Sequence, residues 1–293
     1  MIRILAFLVG LFFSGWLLVS AIMGAVAVAP VISEHGSFVQ PTAEHEFHKH
    51  PRHANFGFEG PLGRFDNAQL QRGFQVYKEV CAACHSLNRL AFRDLQGIGY
   101  SEGQTKTIAG EFQVPSINPE TGEAATRKGM PADKFPLVYA NDVAARAANN
   151  NAIPPDLTLM AKARHDGPNY IYSLLTGYKD AKSYKNEKGE LLSKEFPDSM
   201  PGATTHFNPY FANLNLAMAA PLTADGQVTY GEGAPKPTID QMSKDVSAFL
   251  AWASEPKQEN RKRAGIAVMI FLLIFAVLCW QSYKLIWSEK KHA

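Results

Sequence analysis

Two unbroken apolar stretches bracket the chain, and the hydrophobic positions between them fall largely into helical periods. Residues 4–22 are apolar apart from Ser14, Ser20 and glycines, with Arg3 ahead of them. Ala25-Val26-Ala27 and Ala27-Val28-Ala29 then give small-residue cleavage patterns, so residues 1–29 read as a secretory signal. Pro30 disfavours a cut directly before it, which places the expected cut after Ala27. The alternative is an uncleaved anchor, since the run is long enough to span a bilayer. Near the other end, residues 264–279 are apolar with one glycine, and the pattern extends through Trp280 and Tyr283 to Trp287. At about 20 residues this is a membrane-spanning length. The three aromatics fit an interfacial belt, and Cys279 reads as a small lipid- or helix-facing residue. The division is 1–29 signal, 30–258 outer domain, 259–293 membrane anchor with a short tail.

Within the outer domain, Leu70, Phe74, Tyr77 and Cys81 recur at three-to-four spacing behind Asp66, a capping residue. This predicts a helix over 66–80. Met242, Val246, Phe249, Leu250 and Ala253 predict a second over 239–254. Gly73 costs the first helix about 1 kcal/mol relative to Ala, and close approach of the second helix would be a reason to keep it. A short helix is expected over 141–150, ending before Pro154-Pro155, which cannot continue it. Another is expected from Asp156 to about Arg164. A third covers 169–176, with Pro168 at its start and Gly177 as its stop. Residues 30–63 read as an extended, solvated arm. Its His35, His45, His48, His50 and His53 lack a clean metal-ligand spacing with acidic or thiol partners. Residues 101–135 read as a polar surface excursion, and 178–206 as a charged inserted loop.

Charge changes this picture at the membrane only. The net charge of the 293 residues is +2, yet residues 30–257 carry 22 Lys+Arg against 25 Asp+Glu. The body is therefore mildly acidic and the flanks basic, which argues against nucleic-acid binding. Arg261-Lys262-Arg263 precede the anchor, and Lys284, Lys290 and Lys291 follow it. Equal numbers on both sides leave orientation unsettled by the positive-inside rule.

The chemistry is concentrated in Cys81-Ala82-Ala83-Cys84-His85, the C-x-x-C-H pattern of covalent c-type haem attachment. Two thiols at this spacing can each add across one haem vinyl group, and the adjacent imidazole can ligate the iron. A zinc half-site would need a second ligand pair, and the only other cysteine is Cys279. A thioredoxin-like redox pair gives no reason for His85. One motif means one covalently bound haem c. Two helices crossing at a glycine, with this motif ending the first, is the layout of small c-type cytochromes. In bacteria such haem is attached outside the cytoplasmic membrane, which would put residues 30–258 in the periplasm and residues 288–293 in the cytoplasm.

Further segments resemble the cytochrome c1 family, the haem subunits of cytochrome bc1 complexes (ubiquinol–cytochrome c reductases). They are Arg72-Gly73-Phe74-Gln75-Val76-Tyr77, Ala144-Ala145-Arg146-Ala147-Ala148-Asn149-Asn150 and Pro154-Pro155-Asp156-Leu157. Ala163-Arg164-His165, Ser173-Leu174-Leu175-Thr176-Gly177-Tyr178 and Phe207-Asn208-Pro209-Tyr210-Phe211 continue them. Lys244-Asp245-Val246 and the C-terminal anchor complete the set, which spans 72–287 outside variable loops.

The resemblance implies a mainly α fold: a class-I-like cytochrome c domain with long loops and one C-terminal transmembrane helix. It implies a sixth iron ligand at Met218, in Leu216-Ala217-Met218-Ala219-Ala220-Pro221. Residue types alone left Met130-Pro131 and Met200-Pro201 open, and for those two methionines ordinary core packing is the expectation. It further implies that Arg164 reaches a haem propionate, with help from Tyr170, and that Asn149, Pro154 and Pro155 pack beside the haem. Some bacterial members carry an extra disulfide in the haem domain; here no cysteines remain for it, so residues 179–206 must be held otherwise. The implied function is one-electron transfer from a Rieske iron–sulfur protein to a soluble or membrane-tethered cytochrome c, beside cytochrome b in a dimeric complex of the bacterial inner membrane. Quinol oxidation would belong to cytochrome b, so no side chain here is expected to do acid–base work. A filled methionine position argues against an open-site sensor or peroxidase-like protein. The single motif and residues 144–157 argue against a terminal-oxidase subunit.

Overall fold

The computed structural model describes residues 2–35 and 41–288. Long helices lie at both ends. The first, α1 (Ile2–His35), holds the apolar segment Phe7–Ala27. Between them come α2 (Ala43–Phe47), α3 (Asn67–Val76), α4 (Glu102–Gly110), and the antiparallel pair β1 (Gln113–Ile117) and β2 (Ala124–Lys128). Then follow α5 (Asp142–Ala148), α6 (Met160–Ala163), α7 (Gly167–Leu175), α8 (Leu192–Glu195), and a two-residue pair, β3 (His206–Phe207) with β4 (Asn215–Leu216). The chain ends with α9 (Ile239–Ser254) and α10 (Gln258–Ser288). The fold is mainly α. Helix α10 is long and apolar enough to cross a membrane, and none of its residues is buried. Lys290 and Lys291 of the tail, and residues 36–40 of the arm, lie outside the described residues.

The core is a crossing of α3 and α9, and both helices begin as their caps dictate. Asp66 accepts from Ala68 N–H at 3.0 Å, and Thr238 accepts from Gln241 N–H at 3.1 Å. A Cβ on Gly73 would stand 2.0 Å from the Asp245 carbonyl oxygen and 2.7 Å from Phe249 Cβ. Only glycine permits that approach. The contact buries Asp245 completely, so its carboxylate needs partners. Arg72 Nε donates to Oδ2 at 2.9 Å, and Gln69 and Gln241 donate to Oδ1 at 3.1 and 2.8 Å. Around this point Phe74, Tyr77, Phe92, Phe135 and Phe249 form a continuous aromatic cluster, with centroid separations of 4.3 Å for Phe92–Phe135 and 5.5 Å for Phe74–Phe249. Helices α6 and α7 pack on another side of α9.

Several expectations are corrected. Among the described residues the arm is not extended and solvated throughout. Helix α1 runs through Pro30 to His35, α2 forms behind the Thr42 cap, and Ala43 and Phe47 are buried. They pack with Ala181, Leu192, Phe207 and Leu214 in a second apolar cluster, joined by Tyr184, Phe196 and Met200. This cluster, with the Lys188–Glu46 ion pair, is what holds residues 179–206. Residues 101–135 are not an irregular excursion: Ser101 and Gln104 form a reciprocal capping box for α4, and Val114 and Phe135 enter the main core. The helix expected from Asp156 begins only at Met160, because Asp156 bonds elsewhere. Met130 is 52% exposed, so it is not packed in the core; Met200 packs against the second cluster.

The crossing gives a direct test. Gly73→Ala should destabilise the protein by about 1–3 kcal/mol, despite Ala's better helix propensity, because the added carbon overpacks the crossing. In Gly103→Ala the new carbon meets only Ser101 Oγ, at 4.0 Å, and the change should be neutral or stabilising by up to about 1 kcal/mol. Denaturant unfolding followed by circular dichroism compares the two.

Candidate functional site

The haem-attachment motif sits where α3 stops being an α-helix. Residues Tyr77–Cys81 form one π-helical turn, closed by Ala82 N–H donating to the Tyr77 carbonyl at 2.8 Å. Such turns recur at functional sites because they re-aim the side chains that follow. His85 N–H then donates to the Cys81 carbonyl at 2.9 Å, folding the motif into a compact turn. Both cysteines are free thiols; Cys84 is exposed and Cys81 half-buried. Burial, and secondarily Cys84, pushes the Cys81 thiol up to about 12, so it is protonated at neutral pH.

His85 is held from both ends. The Tyr77 hydroxyl donates to its backbone carbonyl at 3.0 Å, and its Nδ1 lies 2.7 Å from the Pro155 carbonyl oxygen. A carbonyl can only accept, so the Nδ1 proton is fixed. Burial pulls the imidazole below its ordinary range, while the Pro155 bond acts the other way. The ring is therefore neutral at pH 7, and its Nε2 carries a lone pair. This is the arrangement that orients ligating histidines and sets their tautomer.

Pro155 is in turn fixed by its neighbour. One Asp156 oxygen accepts from Ser86 Oγ at 2.8 Å and from Asn88 N–H at 2.7 Å; the other accepts from Thr158 N–H at 3.0 Å. Leu157 N–H donates to the Ser86 carbonyl at 2.9 Å. Residues 155–158 are thus clasped to 85–89 across the chain. Pro154 is half-buried beside this clasp. Asn149 does something different: its amide donates to the Ala145 carbonyl at 2.7 Å and it ends α5.

Arg164 and Tyr170 are brought together. Tyr170 is raised by burial, and the nearby Arg164 guanidinium opposes that rise. The Tyr178 hydroxyl donates to the Met218 carbonyl at 3.0 Å. Tyr77, Asp156 and Tyr178 have roles here that the sequence reading did not assign. The available signal was a buried hydroxyl or carboxylate placed next to an already identified motif.

The residues fit a c-type haem on their donor set. Two free thiols stand at attachment spacing, followed by a neutral imidazole with no hydrogen-bond partner on Nε2 among the described residues. Ile153 and Leu159, on either side of the clasp, are 39% and 43% exposed and offer apolar surface to a macrocycle.

Known proteins resemble this chain over most of its length. A model of the cytochrome C1 family matches residues 56–290. Cytochrome c1 of Rhodospirillum rubrum is 42% identical over 242 residues, covering 81% of this chain and 88% of that protein. A mitochondrial cytochrome c1 haem protein of Arabidopsis thaliana is 44% identical over 234 residues, covering 80% and 71%. Cytochrome b/c1 of Bradyrhizobium diazoefficiens is 41% identical over 245 residues, covering 80% of this chain and 35% of that longer protein. With the family model matched across the clasp, the helix crossing and the membrane helix alike, the chain belongs to the cytochrome c1 family, the haem subunits through which cytochrome bc1 complexes move electrons.

Proposed function

We propose that this chain carries one covalently bound haem c, which Cys81 and Cys84 would attach and whose iron His85 and Met218 would ligate. In this reading it passes single electrons from a Rieske iron–sulfur protein to a soluble or membrane-tethered cytochrome c. It does so beside cytochrome b, in a dimeric complex of the bacterial inner membrane, with the haem domain in the periplasm after removal of the signal. The observation that carries the proposal is the His85 ring locked on Pro155 beside two free thiols. The bound haem supplies a one-electron couple, and His/Met ligation gives it a high potential. The protein's part is positional. Pro155 keeps Nε2 as the free ligand atom, and Tyr178 steadies the backbone of Met218. Arg164 offers a planar bidentate donor suited to a carboxylate such as a propionate, with Tyr170 beside it. Asn149 shapes the turn that leads into Pro154-Pro155.

The acidic body supports steering of a basic acceptor. Glu120 and Glu123 stand exposed in the turn between β1 and β2, and Glu102 opens α4, while Glu111 is paired with Lys78.

Met218→Leu roughly conserves volume, so packing should lose less than about 1.5 kcal/mol. The variant should keep its haem, fall markedly in midpoint potential, bind carbon monoxide when reduced, and lose quinol–cytochrome c activity. Met200→Leu and Met130→Leu should leave the potential nearly unchanged; the reverse pattern in redox titrations would reject Met218 as ligand. Protease added to intact spheroplasts should remove the haem domain, and its protection in sealed spheroplasts would contradict the topology. Electron transfer to a basic cytochrome c should slow as salt rises, since charges in solvent are screened beyond about 8–10 Å. A rate flat in ionic strength would point instead to a tethered acceptor.

A further inference from the structure

Helix α9, which packs against the motif-bearing α3, is followed almost at once by the membrane helix α10. Only Glu255, Pro256 and Lys257 separate them, and Pro256 prevents one continuous helix. A linker of this kind could act as a hinge. Three sets of contacts oppose that.

The first set joins α10 to the turn that leads into α3. Lys262 Nζ donates to the Phe58 carbonyl at 2.6 Å and to the Gly63 carbonyl at 3.2 Å. Glu259 accepts from Phe65 N–H at 3.0 Å. Lys262 and Glu259 are both half-buried on one face of α10. The turn they grip is tight in its own right: Arg64 N–H donates to the Gly57 carbonyl at 3.1 Å, and a Cβ on Gly63 would stand 2.0 Å from the Glu59 carbonyl oxygen. The Phe58 and Phe65 rings pack against each other there, tilted, with centroids 4.6 Å apart. The second set reaches the segment carrying Arg164. Glu255 pairs with Lys162, two residues before Arg164, at 3.1 Å, and with Arg261 on α10, whose Nη2 donates at 3.0 Å. The third is the α3–α9 crossing itself.

The basic run 261–263 is engaged within the molecule. Arg261 and Lys262 serve intramolecular acceptors, and Arg263 lies 3.9 Å from Glu259.

We propose that Lys262, with Glu259 and Glu255, is a positioning residue for electron transfer: it locks the first turn of the membrane helix to the haem domain and so fixes the height and tilt of the haem over the membrane. The lysine is suited to this task. Its stem covers apolar surface while its ammonium offers three donors, here given to two carbonyls of one turn. Electron transfer between proteins falls steeply with distance, so a domain swinging about residues 255–257 would spread the distances at which electrons arrive. The proposal rests on the electron-transfer reading given above.

The test uses the intact complex in its membranes, with Lys262→Met, Glu259→Gln and Lys262→Arg. Haem tilt and its angular spread are read from electron paramagnetic resonance of oriented membrane multilayers. Haem content, midpoint potential and the rate of haem reduction by quinol are measured on the same samples. Expected for Lys262→Met is a broader tilt distribution and severalfold slower reduction, at unchanged haem content and potential, with both restored by Lys262→Arg. Glu259→Gln should show the same effects in weaker form, and it provides the reading if Lys262→Met does not accumulate. Unchanged spread and rate in both variants would overturn the proposal. So would a changed potential or haem content at unchanged spread, which would mark a merely structural role. If the unmutated complex showed no quinol-driven haem reduction, the electron-transfer reading would fail, while the angular spread would still report on the lock.

Discussion

The structure depends on one close contact, the passage of α9 over Gly73 of α3. It forces a buried carboxylate, Asp245, into the contact, and Arg72, Gln69 and Gln241 make that carboxylate tolerable. Removing one partner of such a buried ion pair typically costs about 3–5 kcal/mol, so the crossing fixes the relation of the two helices firmly. Everything functional is hung from it. The end of α3 becomes the turn that presents Cys81, Cys84 and His85, and the end of α9 becomes the start of the membrane anchor.

A second constraint acts across the chain. Asp156 satisfies donors from Ser86, Asn88 and Thr158, and by doing so brings the Pro155 carbonyl onto His85. The proline has no N–H to divert its neighbours into a helix, and its carbonyl is left for the imidazole. The clasp explains both the tautomer of His85 and the late start of α6. Tyr178 bonds the Met218 carbonyl, so the segment of the second proposed iron ligand is held by a hydroxyl and not by apolar packing alone.

Much of this was legible in the sequence where the signal is local. Asp66 and Thr238 mark helix starts, the apolar period marks the faces, and the cysteine–histidine spacing is chemically specific. Gly73 was legible as a close approach because a mid-helix glycine needs a reason. The rest was hidden because it is non-local. Nothing near Ala43 and Phe47 says that they will pack with Leu192 and Leu214. Strands β1 and β2 lack the β-branched alternation that announces a hairpin. Asp156 looks like a helix cap, and its use as a clasp depends on residues some seventy positions away. The proposal of Met218 as a ligand came from resemblance, since three Met residues stand in plausible contexts and spacing does not separate them.

The most direct measurement of the central claim is proton–carbon correlation NMR of the reduced protein with methionine methyl groups isotopically labelled. A haem ring current displaces the methyl of an axial methionine far upfield of all others. The account predicts one such resonance, assigned to Met218, in a protein whose haem stays attached after denaturation. All methionine methyls at ordinary positions, or a displaced one assigned to Met130 or Met200, would contradict it.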